Sequence, residues 1–340
     1  MLVAMSGGVD SSVAAALLAE AGHDVVGATM KLWGGPSDSG CCSVADVDDA
    51  RRVAQQLGIT HHVFNFTADF DARVVEPYVA AHASGRTPNP CIDCNRHLKF
   101  DRFLRRARQL GFDAVATGHH ARMVTSAGGR RRLVRGRDRA KDQSYVLSVL
   151  SGEQLARCLL PVGELTKPEV RGHARALGLR TAAKPDSQDV CFITATGGRQ
   201  GFLTPRMELH PGRIVEATTG RTVGSVPAVE LVTVGQRRGL GGEGRRRYAV
   251  EVDVAAGAVV VASEEDAFTE SVGIRGTTWL EGPLVPGSPV LVQLSAHGRA
   301  LDAVFEGGRV RFAQPHPPVA PGQTVALYEA DAVLGAAEAV

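Results

Sequence analysis

The chain has 340 residues, of which 44% are hydrophobic and 22% are charged, as in a globular protein of about two or three domains. The net charge is only +2, which by itself does not indicate a polyanionic partner. No apolar run approaches the length that crosses a membrane, and the N-terminus shows no secretory signal. We therefore expect a cytoplasmic protein without a membrane partner, in which the six cysteines are kept reduced.

The first half of the chain alternates strand patterns with helix patterns, and glycines follow several of the helices. This order predicts an α/β fold with a doubly wound parallel sheet, which binds its ligand at the carboxyl ends of the strands. The predicted strands cover residues 2–5, 24–30, 61–66 and 113–117, and the predicted helices cover residues 9–21, 44–57, 68–83, 96–110 and 167–177.

From about residue 206 the pattern changes to short strands separated by turns rich in glycine, proline and threonine. It predicts a small central β-rich domain followed by a C-terminal β-barrel. We place the boundaries so that residues 1–203 form the catalytic domain, residues 204–270 the central domain and residues 271–340 the barrel. The predicted strands here cover residues 213–216, 247–253, 258–262, 290–294, 300–305, 309–312 and 324–328.

The stretch SGGVDSS at residues 6–12, between the first strand and the first helix, carries the clearest chemical signal. Two glycines in a tight strand-to-helix turn leave backbone N–H groups exposed at a helix N-terminus, where phosphate binds readily. The lysine of a Walker A loop and the G-x-G-x-x-G pattern of dinucleotide-binding loops are both missing. The stretch instead resembles the loop of the ATP pyrophosphatases, or PP-loop enzymes, which cleave ATP between the α and β phosphates. This resemblance implies that the loop holds the departing pyrophosphate and that Asp10 holds Mg²⁺.

Three cysteines lie where reactive thiols are expected. Cys91 and Cys94 fall in GRTPNPCIDCN at residues 85–95, next to the start of a predicted helix and close to basic residues, which favours the nucleophilic thiolate. Cys191 lies in a separate loop, KPDSQDVCFI at residues 184–193. An ATP-cleaving loop together with reactive thiols indicates adenylation of an oxygen, followed by its replacement with sulfur. The cysteines expected to be structural are Cys41, Cys42 and Cys158.

Basic residues are concentrated in two groups. The stretch 130–141 holds seven arginines or lysines with Asp138 as its only acid, and the stretch 237–247 holds five arginines. We interpret the first as a basic loop and both as parts of a polyanion-binding face. The alternative interpretation is a solvated arginine-rich surface.

The chain as a whole resembles the bacterial tRNA-specific 2-thiouridylases, known as the MnmA or TrmU family. The matching motifs follow one another in order along nearly the whole chain. They include SGGVDSS at 6–12, MKLW at 30–33, GRTPNPCIDCN at 85–95, LKFD at 98–101, ATGHHAR at 116–122, KDQSYVL at 141–147, PVGELTKPEVR at 161–171, DSQDVCFI at 186–193 and TVGQRRGLG at 233–241.

The resemblance implies an ATP-dependent 2-thiolation of the wobble uridine of tRNA, with 2-thiouridine, AMP and pyrophosphate as products. Cys191 would carry a persulfide, supplied by a sulfur-relay protein or a cysteine desulfurase, and Cys94 would resolve it to a disulfide. The residues implied for ATP binding are Ala4, Met5, Ser6, Gly7, Gly8, Val9, Asp10, Ser11, Met30 and Gly118. Those implied for tRNA are Asn89, Pro90 and Cys91 beside the extruded base, together with His119, Lys141, Asp142, Gln143 and, from the C-terminal domain, Gln323.

Some alternatives remain open. Many members of the family have Asp where this chain has Cys91, so Cys91, Cys94 and Cys191 could instead hold a [4Fe–4S] cluster that carries the sulfur. A structural zinc is less favoured, because a closed zinc site needs a fourth ligand. The rival functions are a PP-loop ligase or synthetase for a small molecule, an RNA thiolase acting on cytidine, and a tRNA-binding protein without activity. The small-molecule ligase leaves the thiols and the basic stretches unexplained.

Overall fold

The computed structural model describes residues 1–33, 43–125, 129–186, 190–193, 196–240 and 246–340. Cys41, Cys42 and Arg245 lie outside the described residues. In chain order the strands are β1 Leu2–Ala4, β2 Val26–Lys31, β3 Thr60–Asn65, β4 Val115–Ala116, β5 Ala121–Thr125, β6 Arg131–Arg135, β7 Cys158–Leu159, β8 Gly212–Glu216, β9 Thr222–Val226, β10 Tyr248–Asp253, β11 Ala258–Ala262, β12 Thr269–Trp279, β13 Ser288–Gln293, β14 Leu301–Phe305, β15 Arg309–His316, β16 Thr324–Glu329 and β17 Ala332–Ala339.

The N-terminal part of the chain forms a parallel sheet with the order β3-β2-β1-β4-β7. Successive residues of β1 face opposite sides of the sheet: Leu2 packs into one apolar cluster and Val3 into another. A sheet covered on both faces needs apolar residues in succession, which explains why β1 is a continuous apolar run. The predicted doubly wound α/β fold is therefore confirmed.

Helices cover the two faces of this sheet. The helical segments are Val9–Glu20, Val44–Gln56, Thr67–Phe70, Asp71–Val75, Glu76–Ala83, Pro90–Asp93, Cys94–Arg102, Phe103–Gln109, Ser144–Leu147, Gly152–Ala156, Pro161–Glu164, Lys167–Ala176, Arg180–Ala183, Gly198–Leu203, Val229–Leu231 and Glu264–Ala267. The helix predicted to begin at residue 96 is wrong at its start, because it begins at Pro90. Proline suits the first position of a helix, and the Asn89 side chain caps it by accepting from Cys91 N at 3.0 Å.

Two β structures follow the parallel sheet. The central sheet has the order β10-β11-β8-β9 and encloses its own small apolar cluster. The C-terminal strands run β12-β15-β14-β13-β16-β17, and the pairing of β12 with β17 closes them into a barrel, as the sequence predicts. The boundary expected at residue 271 falls within β12, which begins at Thr269.

The expectation of a basic loop at residues 130–141 is wrong for its first part. Residues Arg131–Arg135 form β6, which pairs with β5 as a hairpin and with β17 of the barrel through Ala332 and Val134. The hairpin therefore extends the barrel sheet, although it lies within the N-terminal half of the sequence. In the part of the chain that the structure describes, no helix combines the length and apolarity needed to span a bilayer.

Candidate nucleotide and thiol site

The loop between β1 and the first helix is held by its own serines. Ser11 Oγ accepts from Ser6 N at 3.1 Å and donates to Gly8 O at 3.1 Å. Gly7 has a φ of 74°, and a Cβ at this position would collide with Asp46 O. The loop is therefore fixed close to the start of the second helix and has no room for a side chain at Gly7.

Asp10, in the first turn of the first helix, is the acidic group of this loop. Its carboxylate lies 2.7 Å from Lys167 Nζ through both oxygens and 3.0 Å from His120 Nε2 through Oδ1. Burial alone would raise the pKa of Asp10, but the hydrogen bonds from His120 and Lys167 and the charge of Lys167 lower it below its ordinary value. The carboxylate is therefore kept ionised beside the loop.

Asp186 binds the other side of the same ammonium. It lies 2.9 Å from Lys167 Nζ, 2.8 Å from Lys141 Nζ and 2.7 Å from Arg171 Nη2. Burial raises its pKa, but the hydrogen bonds from Lys141 and Lys167 prevail and lower it to about 2. Lys141, which was assigned to tRNA by resemblance, is thus tied to the network around Asp10.

Lys184 joins the loop to the second helix. Its ammonium donates to Gly7 O at 3.0 Å, to Asp46 Oδ1 at 2.6 Å and to Asp49 Oδ2 at 2.7 Å. Lys184 and Asp186 come shortly before Cys191 in the sequence. The start of the segment that leads to Cys191 is therefore held against the candidate nucleotide loop, residues 6–12, directly by Lys184 and through Lys167 by Asp186.

The remaining residues assigned to ATP lie around this loop. A Cβ at Gly118 would come 2.6 Å from Ser11 N, so the backbone that follows β4 can lie this close to the start of the first helix only because residue 118 is glycine. Among the residues assigned to ATP, the apolar side chains of Ala4, Met5, Val9 and Met30 are buried, as is the side chain of Ser11.

His119 follows Gly118 and is buried. Its Nδ1 lies 2.7 Å from Thr117 Oγ1, and its Nε2 lies 3.5 Å from Lys99 Nζ. Burial, with the nearby charge of Lys99 added, lowers the pKa of His119 well below its ordinary value. His119 is therefore a neutral imidazole in this structure.

The thiols share one apolar region. Cys94 is 7% exposed and belongs to the large cluster on one face of the parallel sheet, and the half-buried Cys191 packs against the same cluster. Phe192 anchors the Cys191 segment, with ring centroids 4.7 Å from Phe202 and 5.6 Å from Tyr78. The structure thus brings Cys94 and Cys191 to one side of the sheet. Cys158, predicted in the core, is 1% exposed, and burial raises the pKa of its thiol to about 12.

The segment before Cys91 is covered by the barrel. Arg86 forms an ion pair with Glu338, and Thr87 N donates to Pro321 O at 3.0 Å. Gly322 lies against Arg86 and Pro88. The C-terminal loop that carries Gln323 therefore lies beside the segment that carries Asn89 and Pro90.

Most arginines of the 130–141 stretch bind protein groups. Arg132 pairs with Glu281 and Glu329, Arg137 lies 3.2 Å from Glu169, and Arg139 pairs with Asp331. The partners Glu281, Glu329 and Asp331 lie in or near the barrel strands. Much of this positive charge is therefore neutralised by ion pairs that join the hairpin and the residues after it to other parts of the protein.

Metal-ligand geometry is absent from the site as described. In residues 1–33, 43–125, 129–186, 190–193, 196–240 and 246–340, no three His, Cys, Asp or Glu side chains gather into a group that could hold a metal ion. Cys91, Cys94 and Cys191 all lie in these ranges, so they do not form such a group here.

Models of known protein families match most of the chain. Residues 1–195 match the model of the tRNA methyl transferase HUP domain, residues 200–263 its PRC-barrel domain, and residues 294–338 the aminomethyltransferase beta-barrel domain. A tRNA-specific 2-thiouridylase MnmA of Mycobacteroides abscessus is 45% identical over 99% of this chain and 98% of its own length. The chain belongs to the tRNA-specific 2-thiouridylase MnmA family. The MnmA of Roseiflexus sp. strain RS-1 is 44% identical over 98% of this chain and 97% of its own length.

Two solved structures that this MnmA family member resembles are distant matches. The U34-tRNA thiolase NcsA from Methanococcus maripaludis, solved with its [4Fe-4S] cluster, has 18% identity and a TM-score of 0.36, covering 56% of this chain and 60% of its own. A 4-thiouridine synthetase in complex with RNA and bound ATP has 18% identity and a TM-score of 0.35, covering 56% of this chain and 44% of its own.

Four residues of this MnmA-family site had no role in the sequence interpretation: His120, Lys167, Lys184 and Asp186. Each lies in a motif that the sequence analysis singled out, ATGHHAR, PVGELTKPEVR or the stretch 184–193. For His120 the signal that could have identified it is its position just after the predicted strand 113–117, where ligands bind. Lys167, Lys184 and Asp186 follow no predicted strand, so the sequence offered no comparable signal for them.

Proposed function

We propose that the protein uses ATP to replace the C2 oxygen of the wobble uridine of tRNA with sulfur, forming 2-thiouridine, AMP and pyrophosphate. The observation that carries the proposal is the 45% identity, over nearly the full length, with relatives named for this activity. The geometry supports it, because an anion-binding loop with an ionised carboxylate lies in the same domain as two thiols that pack into one cluster.

In the first step the uridine O2 attacks the α-phosphorus of ATP and pyrophosphate leaves. Backbone N–H groups of residues 7–11 bind the phosphates at the start of the first helix. Lys167 supplies a buried positive charge beside the loop, which stabilises negative charge as it develops on the phosphate oxygens. Asp10 is suited to hold the Mg²⁺ that accompanies ATP, because that cation takes one or two carboxylates together with phosphates. The cation itself supplies charge neutralisation.

In the second step the terminal sulfur of a persulfide on Cys191 attacks C2 of the adenylated base. The Cys94 thiolate then attacks Cys191 Sγ, the S–S bond breaks with its electron pair passing to the sulfur on C2, and AMP leaves with the former uridine oxygen. Hydrosulfide released in the site would attack C2 in the same way. A reductant must afterwards open the Cys94–Cys191 disulfide. The buried position of Cys94 supports the role of a resolving thiol shielded from solvent.

The partners of this reaction are tRNA and a protein that supplies sulfur, either a relay protein or a cysteine desulfurase. The wobble base must leave its stack to reach the thiols. The segment Asn89, Pro90 and Cys91 is proposed to lie beside the extruded base, and Gln323 to contact tRNA next to it. The contact between the barrel loop and the segment before Asn89 supports this arrangement.

Among the described residues Cys91, Cys94 and Cys191 form no group that could hold a metal ion, so a [4Fe–4S] cluster would require these thiols to move together. The behaviour of a Cys91→Ser variant distinguishes the cluster from the persulfide.

The proposal is tested by nucleoside mass analysis of tRNA incubated with the protein, ATP, Mg²⁺ and a sulfur donor. The expected product is 2-thiouridine at the wobble position, with one pyrophosphate released for each base modified. Omission of ATP, and separately the Cys191→Ser variant, serve as controls that should yield no thiolated base. Absence of 2-thiouridine with an active donor, or sulfur on another base, would contradict the proposal.

A further inference from the structure

Arg135 lies at the junction of the hairpin and the barrel. Its guanidinium donates to Asp142 Oδ2 at 2.9 Å and to Gln293 Oε1 at 2.7 Å, and it stacks 3.9 Å from the ring centroid of Tyr328. Gln293 and Tyr328 belong to strands β13 and β16 of the barrel. One side chain of the hairpin therefore connects two barrel strands with the segment that follows the hairpin.

Asp142 is used entirely within the protein. Its Oδ1 accepts from Gly136 N at 2.9 Å and from Ser144 N at 3.1 Å, and its Oδ2 accepts from Ser144 Oγ at 2.8 Å as well as from Arg135. The side chain is 6% exposed. Four donors around a buried carboxylate fix the position of the backbone at residues 141–143.

The next residue carries this connection to the nucleotide loop. Gln143 Oε1 accepts from His120 N at 2.9 Å, and Gln143 N donates to His120 O at 2.9 Å. The His120 ring then reaches Asp10 Oδ1 at 3.0 Å. Among the described residues, the buried His120 Nδ1 has no hydrogen-bond partner. The orientation of the ring is therefore set by its backbone, which Gln143 holds, and by Asp10.

We propose that Arg135 is a positioning residue: through Asp142, Gln143 and His120 it fixes Asp10 of the nucleotide loop relative to the C-terminal barrel. This inference rests on the proposed function in one respect: its consequence is that adenylation depends on how the barrel is docked against the N-terminal domain. Three of the links are hydrogen bonds of 3.0 Å or less, from Arg135 to Asp142, between Gln143 and His120, and from His120 to Asp10. The remaining link is the peptide bond that joins Asp142 to Gln143. In this arrangement Asp142 is an internal anchor and leaves the contact with tRNA to its neighbours.

The test compares Arg135→Gln with Arg132→Gln. Both arginines lie on β6 and both reach the barrel, but the described carboxylates that Arg132 binds are Glu281 and Glu329, and no described contact joins it to Asp142. With ATP and tRNA saturating, Arg135→Gln should lower the rate of pyrophosphate release by about 10- to 100-fold, the loss that a displacement of ~1 Å causes. Arg132→Gln should change that rate by less than about twofold, even if both variants lose thermal stability. Equal losses in the two variants would overturn the proposal.

A double-mutant cycle separates this role from simple support of the fold. Asp142→Asn keeps the size of the side chain, so its rate of pyrophosphate release can be measured instead if Arg135→Gln does not fold. Because the two residues act in one chain of contacts, the double variant should be no slower than the slower single variant. Multiplied losses in the double variant would overturn the proposal.

The His120 ring provides a readout that does not depend on activity. In protein labelled with ¹³C-histidine, with the resonance assigned through His120→Gln, the His120 Cε1–H signal should shift in Arg135→Gln and in Asp142→Asn, and stay in place in Arg132→Gln. An unmoved signal in the first two variants would overturn the proposal. If the wild-type protein released no pyrophosphate, that result would count against the proposed function. The His120 signal would still show whether Arg135 positions His120.

Discussion

Lys167 places its ammonium 2.7 Å from both carboxylate oxygens of Asp10, with Asp186 on its other side at 2.9 Å. The ammonium is 157 residues away from Asp10 in sequence and is almost completely buried. A buried charge is tolerated when it is paired in this way, whereas removal of one partner is costly. The nucleotide loop therefore contains a fixed positive charge, and two carboxylates determine its position.

The first prediction concerns Asp10. Asp10→Asn should retain the fold, because Lys167 keeps Asp186 as a partner and the residue lies at the edge of the loop. It should lower pyrophosphate release by at least about 100-fold, since the carboxylate that holds Lys167, His120 and the accompanying cation is lost. Pyrophosphate release and circular dichroism measure the two effects. A variant that thiolates tRNA at the wild-type rate would contradict the role of the loop.

The second prediction compares two glycines with similar backbone angles. Gly7 has a φ of 74° and no room for a Cβ, whereas Gly22 has a φ of 81° with nothing within 4 Å. Gly22→Ala should cost only about 1 kcal/mol of stability, the strain of the backbone angle. Gly7→Ala should also displace the loop from Asp46 and abolish ATP binding. Isothermal titration with ATP and thermal unfolding distinguish the two variants, and tight ATP binding by Gly7→Ala would be inconsistent with this packing.

The nucleotide loop could be predicted from sequence because its pattern is local. A strand, two glycines and an acidic residue in the first helical turn occupy residues 2–10, so their arrangement follows from chain order alone. The partners of Asp10 could not be predicted in the same way. His120 is 110 residues away, and only the folded sheet brings it into contact with the loop.

The strands β6 and β17 show why part of the fold was missed. Residues Arg131–Arg135 look like a solvated basic loop, but Arg132 has a partner in Glu329, 197 residues later. Ala332–Ala339 is rich in alanine, which favours a helix in isolation. In the barrel small residues are required instead, because a Cβ at Gly335 would collide with Thr278 O on β12. Contacts distant in sequence override local propensity in both cases.

The third prediction concerns acid stability. The pKa of Asp186 is lowered from 3.8 to about 2 in the folded protein, so its ion pairs stabilise the fold above about pH 4 and are lost as the pH falls toward 2. At neutral pH the free energy of unfolding of the wild type should exceed that of Asp186→Asn by about 1–2 kcal/mol, after allowance for solvent screening. The difference should shrink between pH 4 and pH 2. Urea unfolding at several pH values measures it, and a difference independent of pH would contradict the assignment.

The fourth prediction locates the contact with tRNA. Arg237 and Arg238 are exposed and form no ion pair with any described carboxylate, unlike Arg137 and Arg139. The double variant with Arg237→Gln and Arg238→Gln should bind tRNA more weakly. Its slope of log K against log salt should be less negative by about 1.5, because fewer counterions are released. The matched control, Arg137→Gln with Arg139→Gln, removes the same charge and should leave the slope unchanged. A slope that stays at the wild-type value when Arg237 and Arg238 are both replaced would remove these two residues from the tRNA interface.

The last prediction concerns Cys91, which separates the two sulfur mechanisms. In the persulfide route only Cys94 and Cys191 are required, and their Cα atoms must approach to about 4.4–6.8 Å when the disulfide forms. Cys91 contributes its backbone N–H to the Asn89 cap, and serine preserves that contact. Cys91→Ser should therefore retain most of the 2-thiouridine formed by wild type, whereas Cys94→Ser and Cys191→Ser should form none.

The cluster route makes the opposite prediction, because each thiolate would be an iron ligand. Cys91→Ser would then be as inactive as the other two variants. Protein purified without oxygen would also be brown, with a charge-transfer absorption band that disappears in Cys91→Ser. We expect colourless protein and an active variant, since the described residues show no metal-binding group around Cys91. An inactive Cys91→Ser together with loss of that band would identify Cys91 as a ligand and replace the persulfide route.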